Sequence, residues 1–226
     1  MRALAFSGGK DSLACLHWML ESGHRLNTLL YVDTGYAYPE TQALVEYASR
    51  MVPVQVIQSD RAGQNTQEGI PSDVVPVEWT AYGQQYSHEK PVTIQADSIC
   101  CLENIGKPLL AYAKKIGVTH LYYGQKRSDT LRGGAKDGDI VDGVMRLHPI
   151  ESWTDEQVLA YLKTKMEALP AHYAFQHTSL DCYDCTGFAK YSRDRIAWMQ
   201  VEHPTLYRAY AARWNNLTAS LQEALA

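Results

Sequence analysis

The sequence predicts an α/β fold in which a twisted parallel sheet carries helices on both faces. Apolar runs that are typical of buried strands alternate with amphipathic stretches between Ala3 and Ile57. Glycine or proline residues separate several of these segments, as expected at turns and helix ends. This β-α-β-α-β alternation indicates parallel strands, because each return to the same edge of the sheet needs a crossover helix. Ligands of such sheets bind beyond the carboxyl ends of the strands.

The individual elements follow from local patterns. Leu13, Leu16 and Leu20 lie at helical spacing, and Pro39 is suited to begin a helix. In chain order the patterns predict a strand at 3–6, a helix from about 12 that Gly23 closes, a strand at 28–32, a helix at about 40–51, a strand at 54–57, a helix at about 102–116, a strand at 118–123, a helix that is capped within 152–156 and ends near 165, and mainly helix after 185 with a break near 203–204. Residues 60–97 are irregular and polar, so we expect a loop over the site.

The composition indicates a globular chain. Its 226 residues, 46% hydrophobic and 20% charged, are enough for a substantial core. A net charge of −4 argues against nucleic-acid binding driven by overall charge, although a local basic patch is compatible with it. No stretch approaches the length of a membrane-spanning helix, and no signal-peptide pattern stands at the N-terminus. We therefore expect a cytoplasmic protein without a membrane partner, in which clustered cysteines indicate metal binding rather than disulfides.

The most informative segment is Ser7–Ser12, which joins the first strand to the first helix. Gly8 and Gly9 allow a tight turn that brings backbone N–H groups close to an anion, and the serine hydroxyls add donors. Lys10 adds a positive charge at the N-terminus of the helix, which itself favours anions. Asp11 would repel a phosphate unless a divalent cation lay between them, so it indicates Mg²⁺. The segment predicts a nucleoside triphosphate site with Lys10 and Asp11 as catalytic residues, and the alternative is an ordinary glycine turn.

Two further segments, 33–35 and 124–132, each follow a predicted strand. They are therefore predicted to lie at the same edge of the sheet as Ser7–Ser12. Basic side chains cluster after the strand at 118–123, and the planar guanidinium of arginine can bind two phosphate or sulfate oxygens. The alternative for these charges is a solvated loop. The additional candidate nucleotide-binding residues are Asp33, Thr34, Gly35, Gly124, Lys126, Arg127 and Arg132.

Four of the five cysteines form two close pairs. The pairs are Cys100-Cys101 and Cys182-x-x-Cys185, whereas Cys15 lies near the apolar stripe of the first helix and is expected to be a small buried hydrophobe. Four thiolates that the fold brings together suit either a tetrahedral zinc ion or an iron–sulfur cluster. Adjacent cysteines fit one zinc ion less well, which favours a cluster, and unliganded thiols are the third alternative.

Several of these motifs resemble those of known families. The Ser7–Ser12 segment resembles the signature of the PP-loop ATP pyrophosphatases, which split ATP between the α and β phosphates. The two cysteine pairs, about eighty residues apart, resemble the ligands of the 4Fe-4S cluster in the assimilatory adenylylsulfate reductases. Further segments resemble the phosphoadenylylsulfate reductase-like superfamily in collinear order: Asp33-Thr34-Gly35 with Pro39-Glu40-Thr41, Cys100-Cys101 with Lys107-Pro108-Leu109, Gly124-Gln125-Lys126-Arg127 with Asp129 and Arg132, and Pro149-Ile150 with Trp153-Thr154.

This resemblance implies a Rossmann-like fold of the adenine nucleotide alpha hydrolase type. Residues 1–185 would form a nucleotide-binding domain with an iron–sulfur site on the four paired cysteines, and residues 186–226 a helical extension packed on the same domain. Two features depart from the reductases. Those enzymes carry a nucleophilic cysteine in a mobile C-terminal Glu-Cys-Gly motif, whereas no cysteine follows Cys185 here. They also usually have a degenerate phosphate loop, whereas Ser7–Ser12 is intact.

Both departures favour ATP over a sulfonucleotide as the substrate. The first hypothesis is an enzyme that adenylylates an acceptor in 4Fe-4S-dependent sulfur transfer, of the tRNA thiolation or DNA sulfur modification type. The second is a phosphoadenylyl or adenylyl sulfate reductase that uses an external thiol, and the third is a non-catalytic nucleotide-sensing cluster protein. The expected cofactors are a 4Fe-4S cluster, with zinc as the alternative, and Mg²⁺ with ATP. The expected partners are a tRNA or DNA acceptor and a sulfur-donor protein or thioredoxin, and the sequence is compatible with a homodimer.

Overall fold

The computed structural model describes residues 1–129, 136–175, 178–189 and 192–226. The chain divides into two compact units, each assembled from separate stretches. The first unit comprises Met1–Asp33, Ala37–Gln58 and Pro108–Leu180, and the second comprises Thr34–Tyr36, Ser59–Lys107 and Asp181–Ala226. The boundary predicted between residues 185 and 186 follows a different criterion, the end of the cysteine motif, and it stays a prediction.

Strands and helices alternate along much of the chain. The described residues form eight strands: β1 (Arg2–Ala5), β2 (Thr28–Asp33), β3 (Val54–Gln58), β4 (Ile70–Ser72), β5 (Ile94–Ala96), β6 (His120–Tyr123), β7 (Ile140–Val141) and β8 (Val144–Leu147). The same residues form eight α-helices: α1 (Lys10–Glu21), α2 (Pro39–Ser49), α3 (Arg61–Glu68), α4 (Asp97–Cys101), α5 (Lys107–Lys115), α6 (Asp155–Lys163), α7 (Arg193–Glu202) and α8 (Pro204–Leu225).

The first unit is built on one sheet. Within the described residues this sheet has six strands in the order β3-β2-β1-β6-β8-β7. Neighbouring strands run parallel except β7, which pairs antiparallel with β8. Ala3 of β1 lies opposite both Thr28 of β2 and Leu121 of β6. The carboxyl ends of β1, β2 and β6 are therefore neighbours at one edge of the sheet, where ligands of parallel sheets bind.

Side chains of successive strand residues enter two separate cores, as the pleat of a strand requires. Leu4 and Leu29 pack in one core with residues of α1, α2 and α6. Ala3, Leu30 and Leu121 pack in a second core with residues of α5. Each leucine that is fully removed from water there stabilises the fold by about 2 kcal/mol. The predicted parallel α/β sheet with helices on both faces is confirmed.

Residues 60–97, which the sequence pattern predicts as an irregular loop, contain regular structure in the second unit. They include α3, the parallel strand pair β4 and β5, and short 3₁₀ turns. Helix α3 lacks an apolar periodicity because the residue that it buries is Arg61. The helix begins after Asp60, whose carboxylate accepts a hydrogen bond from the Gly63 N–H at 3.0 Å. The prediction of a loop was therefore wrong.

The helix predicted at 102–116 begins earlier and is interrupted. Helix α4 begins at Asp97, and a π-helical turn at Leu102–Gly106 separates it from α5. Asn104 lies in this turn, and its side-chain amide donates a hydrogen bond to the Cys100 carbonyl at 2.9 Å. An asparagine side chain that binds the backbone in this way competes with the regular helical hydrogen bonds. Such π-helical turns frequently mark functional sites.

The C-terminal part of the chain is mainly helical, as predicted. Helix α7 ends at Glu202 and α8 begins at Pro204, so the predicted break near 203–204 is confirmed. Proline suits the first turn of a helix because the N–H that it lacks would have no partner there. Within the residues that the structure describes, no helix combines sufficient length with sufficient hydropathy to cross a lipid bilayer.

Gly124 directly follows β6 and lies against the first turn of α1. A Cβ atom at this position would lie 2.6 Å from the Asp11 carbonyl carbon and from Ser12 Cα. The Gly124→Ala variant should therefore lose about 2 kcal/mol of unfolding free energy in urea denaturation, since backbone atoms would have to move. Gly23→Ala is the control, because a Cβ atom there meets open space and only the φ of +74° is unfavourable. It should lose about 1 kcal/mol, and equal losses in both variants would contradict the close contact.

Candidate functional site

The Ser7–Ser12 segment connects the carboxyl end of β1 to the first turn of α1, as predicted. Gly8 has a φ of +73°, which lies in the region that favours glycine. A Cβ atom at this position would lie 2.6 Å from Thr41 Cγ2 and 3.0 Å from the Thr41 carbonyl oxygen. Both the backbone angle and the close approach of α2 therefore require glycine at this turn.

Hydrogen bonds among Ser7, Gly9 and Ser12 connect the two ends of the loop. Ser7 Oγ and Ser12 Oγ lie 3.1 Å apart, and Ser12 Oγ donates to the Gly9 carbonyl at 3.0 Å. The Gly9 N–H donates to Ser7 Oγ at 3.3 Å. These contacts keep the loop compact at the N-terminus of α1, where the helix dipole favours an anion.

Two buried lysine side chains, those of Lys10 and Lys126, lie at this loop with exposed fractions of 1% and 2%. A buried ammonium group needs counter-charges, because an unpaired ion is costly to remove from water. Lys10 Nζ lies 2.9 Å from Asp11 Oδ2 and 2.5 Å from Asp155 Oδ1. Lys126 Nζ lies 2.7 Å from Asp11 Oδ1 and 3.4 Å from Asp155 Oδ1, and a third carboxylate, that of Asp129, is 3.1 Å away. Asp11 and Asp155 thus bridge both lysines.

The charges in this cluster shift the pKa values of its members. Burial alone would lower the pKa of Lys126, but the hydrogen bond and charge of Asp11, followed by those of Asp129, outweigh burial and raise it. Burial alone would raise the pKa of Asp155, but the hydrogen bond and charge of Lys10, followed by those of Lys126, outweigh burial and lower it. Both side chains are therefore charged near neutral pH.

Asp155 is a site residue that the sequence pattern did not single out, because it appeared only as part of a helix cap. The cap is present. Thr154 Oγ1 accepts a hydrogen bond from the Gln157 N–H at 3.2 Å, and Gln157 Oε1 accepts one from the Thr154 N–H at 2.8 Å. This capping box begins α6 at Asp155. No local pattern distinguishes Asp155 from an ordinary first-turn acid, since its partner Lys10 is 145 residues away.

A tyrosine hydroxyl contacts the backbone at the start of α1. The Lys10 N–H donates a hydrogen bond to Tyr173 Oη at 2.7 Å, and burial raises the pKa of this phenol. Ser179 lies next to Gly9, where a Cβ atom would collide with the serine side chain. The Lys10 N–H is one of the donors that a helix terminus leaves without an intrahelical partner, so a phosphate oxygen would compete with Tyr173 for it. Sequence reasoning missed Tyr173, which is 163 residues from this donor.

The first unit also contains Asp33, Gly124 and Arg127, which the sequence predicts to bind nucleotide. Asp33 ends β2, next to β1 in the sheet, and its side chain is half-buried. Gly124 is buried against α1, which gives it a packing role. The Arg127 side chain is 78% exposed, and its Nε lies 3.9 Å from Glu151 Oε1. A pair this exposed contributes little to stability, so Arg127 is a solvent-facing charge near the loop.

The three remaining predicted nucleotide-binding residues are Thr34, Gly35 and Arg132. Thr34 and Gly35 follow β2 and belong to the second unit. Gly35 has a φ of +77°, so glycine is required there by the backbone. Arg132 lies outside the described residues.

All four paired cysteines belong to the second unit, and their thiols are free. Thr34 Oγ1 lies 3.3 Å from Cys182 Sγ. Asn65 Nδ2 lies 3.5 Å from Cys100 Sγ, and Asn104 Nδ2 lies 3.6 Å from the same sulfur. Polar side chains of the second unit therefore contact one sulfur of each cysteine pair.

The paired cysteines are close enough to affect one another electrostatically. Burial raises the pKa of Cys101, and charge on Cys185 and Cys100 raises it further. Burial is also the main cause that raises the pKa of Cys185 to about 12. Across the described residues, no group of three or more histidine, cysteine, aspartate or glutamate side chains is arranged to hold a metal ion. Cys100 and Cys182 instead contact the polar side chains described above.

Arginine side chains contact the Cys182-x-x-Cys185 turn. Asp184 lies within the turn and is buried, and its Oδ1 accepts a hydrogen bond from Arg61 Nη1 at 2.7 Å. Its Oδ2 accepts one from Arg213 Nη1 at 3.1 Å. Arg195 Nη1 donates to the Cys182 carbonyl at 3.1 Å. Sequence reasoning did not assign these residues to the cysteine group, since Arg61 and Asp184 are 123 residues apart and no local motif joins them.

Asp155→Asn tests the charge cluster through its pH dependence. The folded-state pKa of Asp155 is lowered from 3.8, so its ion pairs stabilise the fold above that pH and the stabilisation is lost as pH falls through the lowered pKa. We expect a loss of about 1 kcal/mol at pH 7, kept small because this carboxylate is partly exposed to solvent, and a smaller difference from the wild type near pH 3. Urea denaturation of both proteins at both pH values measures this loss of unfolding free energy. Glu156→Gln, also in the first turn of α6, controls for the helix dipole. If the difference in unfolding free energy between the wild type and Asp155→Asn does not decrease on acidification, the assignment of Asp155 to the lysine ion pairs is contradicted.

Comparison with known proteins identifies the family. Residues 2–188 match the model of the phosphoadenosine phosphosulfate reductase domain. An adenosine 5'-phosphosulfate reductase of Deinococcus radiodurans is 24% identical over 197 residues, which cover 83% of this chain and 67% of that protein. An argininosuccinate synthase of Rubrobacter xylanophilus is 25% identical over 157 residues, which cover 66% of this chain and 34% of the synthase.

Two solved structures align with much of this chain. An FMN adenylyltransferase of Candida glabrata in complex with FAD and inorganic pyrophosphate aligns with a TM-score of 0.50 at 14% identity, over 81% of this chain and 54% of that chain. A phosphoadenylyl-sulfate reductase of Candida auris aligns with a TM-score of 0.48 at 15% identity, over 78% of this chain and 83% of that chain. Because the family model covers most of its length, the chain belongs to the phosphoadenosine phosphosulfate reductase domain family.

Proposed function

We propose that the chain is an ATP-binding enzyme of the PP-loop type that adenylylates an acceptor oxygen in preparation for sulfur transfer. The observation that carries this proposal is the pair of buried lysines, Lys10 and Lys126, at the glycine loop between β1 and α1. A glycine loop that leads into a helix N-terminus is suited to phosphate. Two buried ammonium groups provide charge for several phosphate groups rather than for one.

The charge of the cluster supports binding of the nucleotide together with a cation. Among the described side chains of the cluster, the two ammonium groups face the carboxylates of Asp11, Asp129 and Asp155, so negative charges outnumber positive charges by one. A polyphosphate would be repelled by this excess unless a divalent cation accompanied it. Carboxylate and phosphate oxygens are the ligands that Mg²⁺ prefers. Asp11, which lies on the loop itself, would hold the ion.

The reaction requires the site to hold the triphosphate and to stabilise the leaving group. An oxygen of the acceptor forms a bond to the α-phosphorus while the bond from that phosphorus to the α–β bridging oxygen breaks. Pyrophosphate leaves with the bonding electron pair, and the proton of the acceptor hydroxyl passes to water. Lys10 and Lys126 stabilise the charge that develops on pyrophosphate, because fixed ammonium groups in a buried site interact strongly with it. A sulfur nucleophile then forms a bond to the acceptor atom that carries the adenylylated oxygen. The bond from that atom to the oxygen breaks, and AMP leaves with the oxygen and the bonding electron pair, because AMP is a better leaving group than hydroxide.

The remaining nucleotide contacts are proposed from the sheet edge. Asp33 ends β2 beside the loop strand β1, at the edge where the adenosine of a bound nucleotide would lie. From the sequence we also propose Thr34, Gly35, Gly124, Arg127 and Arg132 as nucleotide-binding residues.

A 4Fe-4S cluster is the cofactor that we assign to Cys100, Cys101, Cys182 and Cys185, with zinc as the alternative. The donor chemistry supports it, since the four thiols are free and belong to one unit. Such a cluster would supply structural support or electron transfer. The chain's contribution is to hold four thiols in one unit, where the raised pKa values of Cys101 and Cys185 keep these two thiols protonated until a metal displaces the protons.

The acceptor and the sulfur donor are proposed at the level of class. A tRNA or DNA acceptor would have to contact local basic residues, because the net charge of the chain is −4. A sulfur-donor protein would supply the nucleophile. We place the reaction in the cytoplasm, where thiols stay reduced.

A second candidate function is reduction of an adenylyl or phosphoadenylyl sulfate. Family membership and the similarity to the reductase of Deinococcus radiodurans favour it. In this reaction a thiolate supplied by a partner such as thioredoxin attacks the sulfur of the sulfonucleotide. The sulfur–oxygen bond to the nucleotide phosphate breaks, and AMP or its 3'-phosphate leaves. The resulting thiosulfonate then releases sulfite when a second thiol forms a disulfide with the first.

Lys10→Met tests the phosphate site, because it keeps the buried alkyl stem and removes the ammonium group. We expect the affinity for Mg²⁺–ATP to fall by at least about a hundredfold, since a charge-assisted contact in a buried site is lost. Isothermal titration calorimetry measures the affinity. Lys115→Ala, an exposed lysine of α5 in the same unit, is the control and should bind ATP as the wild type does. Unchanged ATP affinity in Lys10→Met would reject the assignment.

Product analysis separates the candidate functions. The anaerobically purified protein is incubated with ATP and tRNA or DNA, or with adenylyl sulfate and thioredoxin or glutathione. Pyrophosphate release in the first mixture supports adenylylation. Sulfite release in the second mixture, with no pyrophosphate in the first, rejects adenylylation and supports the reductase function. ATP binding without turnover in any mixture would favour the nucleotide-sensing alternative.

Cys182→Ser tests the proposed cluster. We expect the wild type, reconstituted anaerobically with iron and sulfide, to show the broad visible absorbance of thiolate-bound iron, and the variant to lose most of it because one ligand is absent. Iron and zinc analysis of the same samples identifies the metal. Cys15→Ser is the control, since Cys15 is buried in the first unit and should leave iron content unchanged. One zinc and no iron in the wild type would overturn the cluster assignment.

A further inference from the structure

The two C-terminal helices lie beyond the segment that matches the family model, yet they contact the cysteine group. The match ends at residue 188, whereas α7 begins at Arg193 and α8 ends at Leu225. Both helices belong to the same unit as the four paired cysteines. Each helix contributes one arginine that reaches this group, Arg195 from α7 and Arg213 from α8.

The Arg213 guanidinium joins two segments of the second unit. Its Nη1 donates to Asp184 Oδ2 at 3.1 Å, and its Nη2 donates to Asn65 Oδ1. The Asp184 side chain is 6% exposed, and Arg61 pairs with its other oxygen. A buried carboxylate with a guanidinium on each oxygen has little freedom to move, because loss of either partner would leave charge unpaired. Arg213 thus restrains the turn that carries Cys182.

Asn65 extends this restraint to the other cysteine pair. Its Oδ1 accepts from Arg213, and its Nδ2 lies 3.5 Å from Cys100 Sγ. The hydrogen bond from Arg213 determines which way the amide faces, so that the NH₂ group and not the oxygen is directed to the sulfur. One guanidinium fork therefore orients groups at both cysteine pairs.

Arg195 restrains the backbone of the Cys-x-x-Cys turn. Its Nη1 donates to the Cys182 carbonyl at 3.1 Å, and its Nη2 donates to the Cys185 carbonyl at 3.3 Å and to Ser192 Oγ at 3.2 Å. The side chain is buried, with 3% of its residue surface exposed. Two carbonyls of one turn bound to one rigid guanidinium keep the two cysteines at a constant spacing.

We propose that the C-terminal helices act as a clamp on the cysteine group, with Arg213 and Arg195 as positioning residues. The clamp holds the Cys182-x-x-Cys185 turn and the Asn65 amide in place, so that the four thiols keep their relative positions before and after they bind a metal. The metal-binding part of this inference rests on the proposed cysteine site, whereas the restraint on the thiols does not.

Site-specific thiol alkylation tests the clamp in the reduced, iron-free full chain. Iodoacetamide labelling followed by peptide mass spectrometry gives a separate rate for each cysteine. Arg213→Met should label Cys100 and Cys182 at least about tenfold faster than the wild type, because the turn and the amide open more often. Cys15, buried in the first unit, should label at the wild-type rate and so reports on global unfolding. Arg208→Met on the exposed side of α8 is the matched control and should change no rate.

Two further variants separate the parts of the clamp and keep the test valid if Arg213→Met does not fold. Arg213→Lys retains one charge for Asp184 but cannot bind Asn65 as well, so it should accelerate Cys100 while Cys182 stays near the wild-type rate. Asn65→Ala should likewise accelerate the labelling of Cys100 and leave Cys182 near the wild-type rate. Equal rates for wild type and Arg213 variants would overturn the proposal, and so would acceleration of Cys15 along with the others.

Iron loading tests whether the clamp serves a metal. If the wild type binds a cluster, the Arg213→Met protein should lose its visible absorbance in the presence of a chelator at least about tenfold faster than Arg208→Met. Equal rates of loss would overturn the metal-positioning role. If the wild type takes up no iron, the cluster in the proposed function fails, and the alkylation rates still decide the restraint on the thiols.

Discussion

The first unit depends on the pairing of two buried ammonium groups with shared carboxylates. Lys10 and Lys126 are almost completely buried, and charges in that position are tolerated only when they are paired. Asp11 and Asp155 each contact both lysines. The start of α1, the start of α6 and the segment after β6 must therefore meet at the carboxyl edge of the sheet. The charges that hold these elements together are the same ones that we propose to bind phosphate.

In the second unit the buried charge that needs counter-charges is negative instead of positive. Asp184 is a buried carboxylate, and the guanidinium groups of Arg61 and Arg213 pair with its two oxygens. Guanidinium suits this role because its planar fork makes several directed hydrogen bonds at once. Since Asp184 lies within the Cys-x-x-Cys turn, the ion pairs that stabilise the unit also restrain the thiols. A site built in this way keeps its side chains in position through contacts outside the reactive groups themselves.

The sequence predicted the parts whose signals are local. The alternation of strands and helices, the loop at Ser7–Ser12 and the basic residue Lys126 all follow from short patterns, and the structure places them together. Asp155 and Tyr173 were not predicted because their contacts with Lys10 span 145 and 163 residues. Helix α3 was missed because it buries a charged residue instead of an apolar stripe. Patterns of hydrophobicity report on cores, whereas a buried ion pair leaves no periodic signal.

We propose that the loop at the start of α1 binds the polyphosphate of ATP. The affinities of ATP and AMP for the wild-type protein, measured by calorimetry in the same magnesium buffer, test this claim most directly. Lys10 and Lys126 should interact mainly with the β and γ phosphates, so ATP should bind at least about a hundredfold more tightly than AMP. Equal affinities for ATP and AMP would contradict the account, because the buried lysines would then make no contact with the polyphosphate.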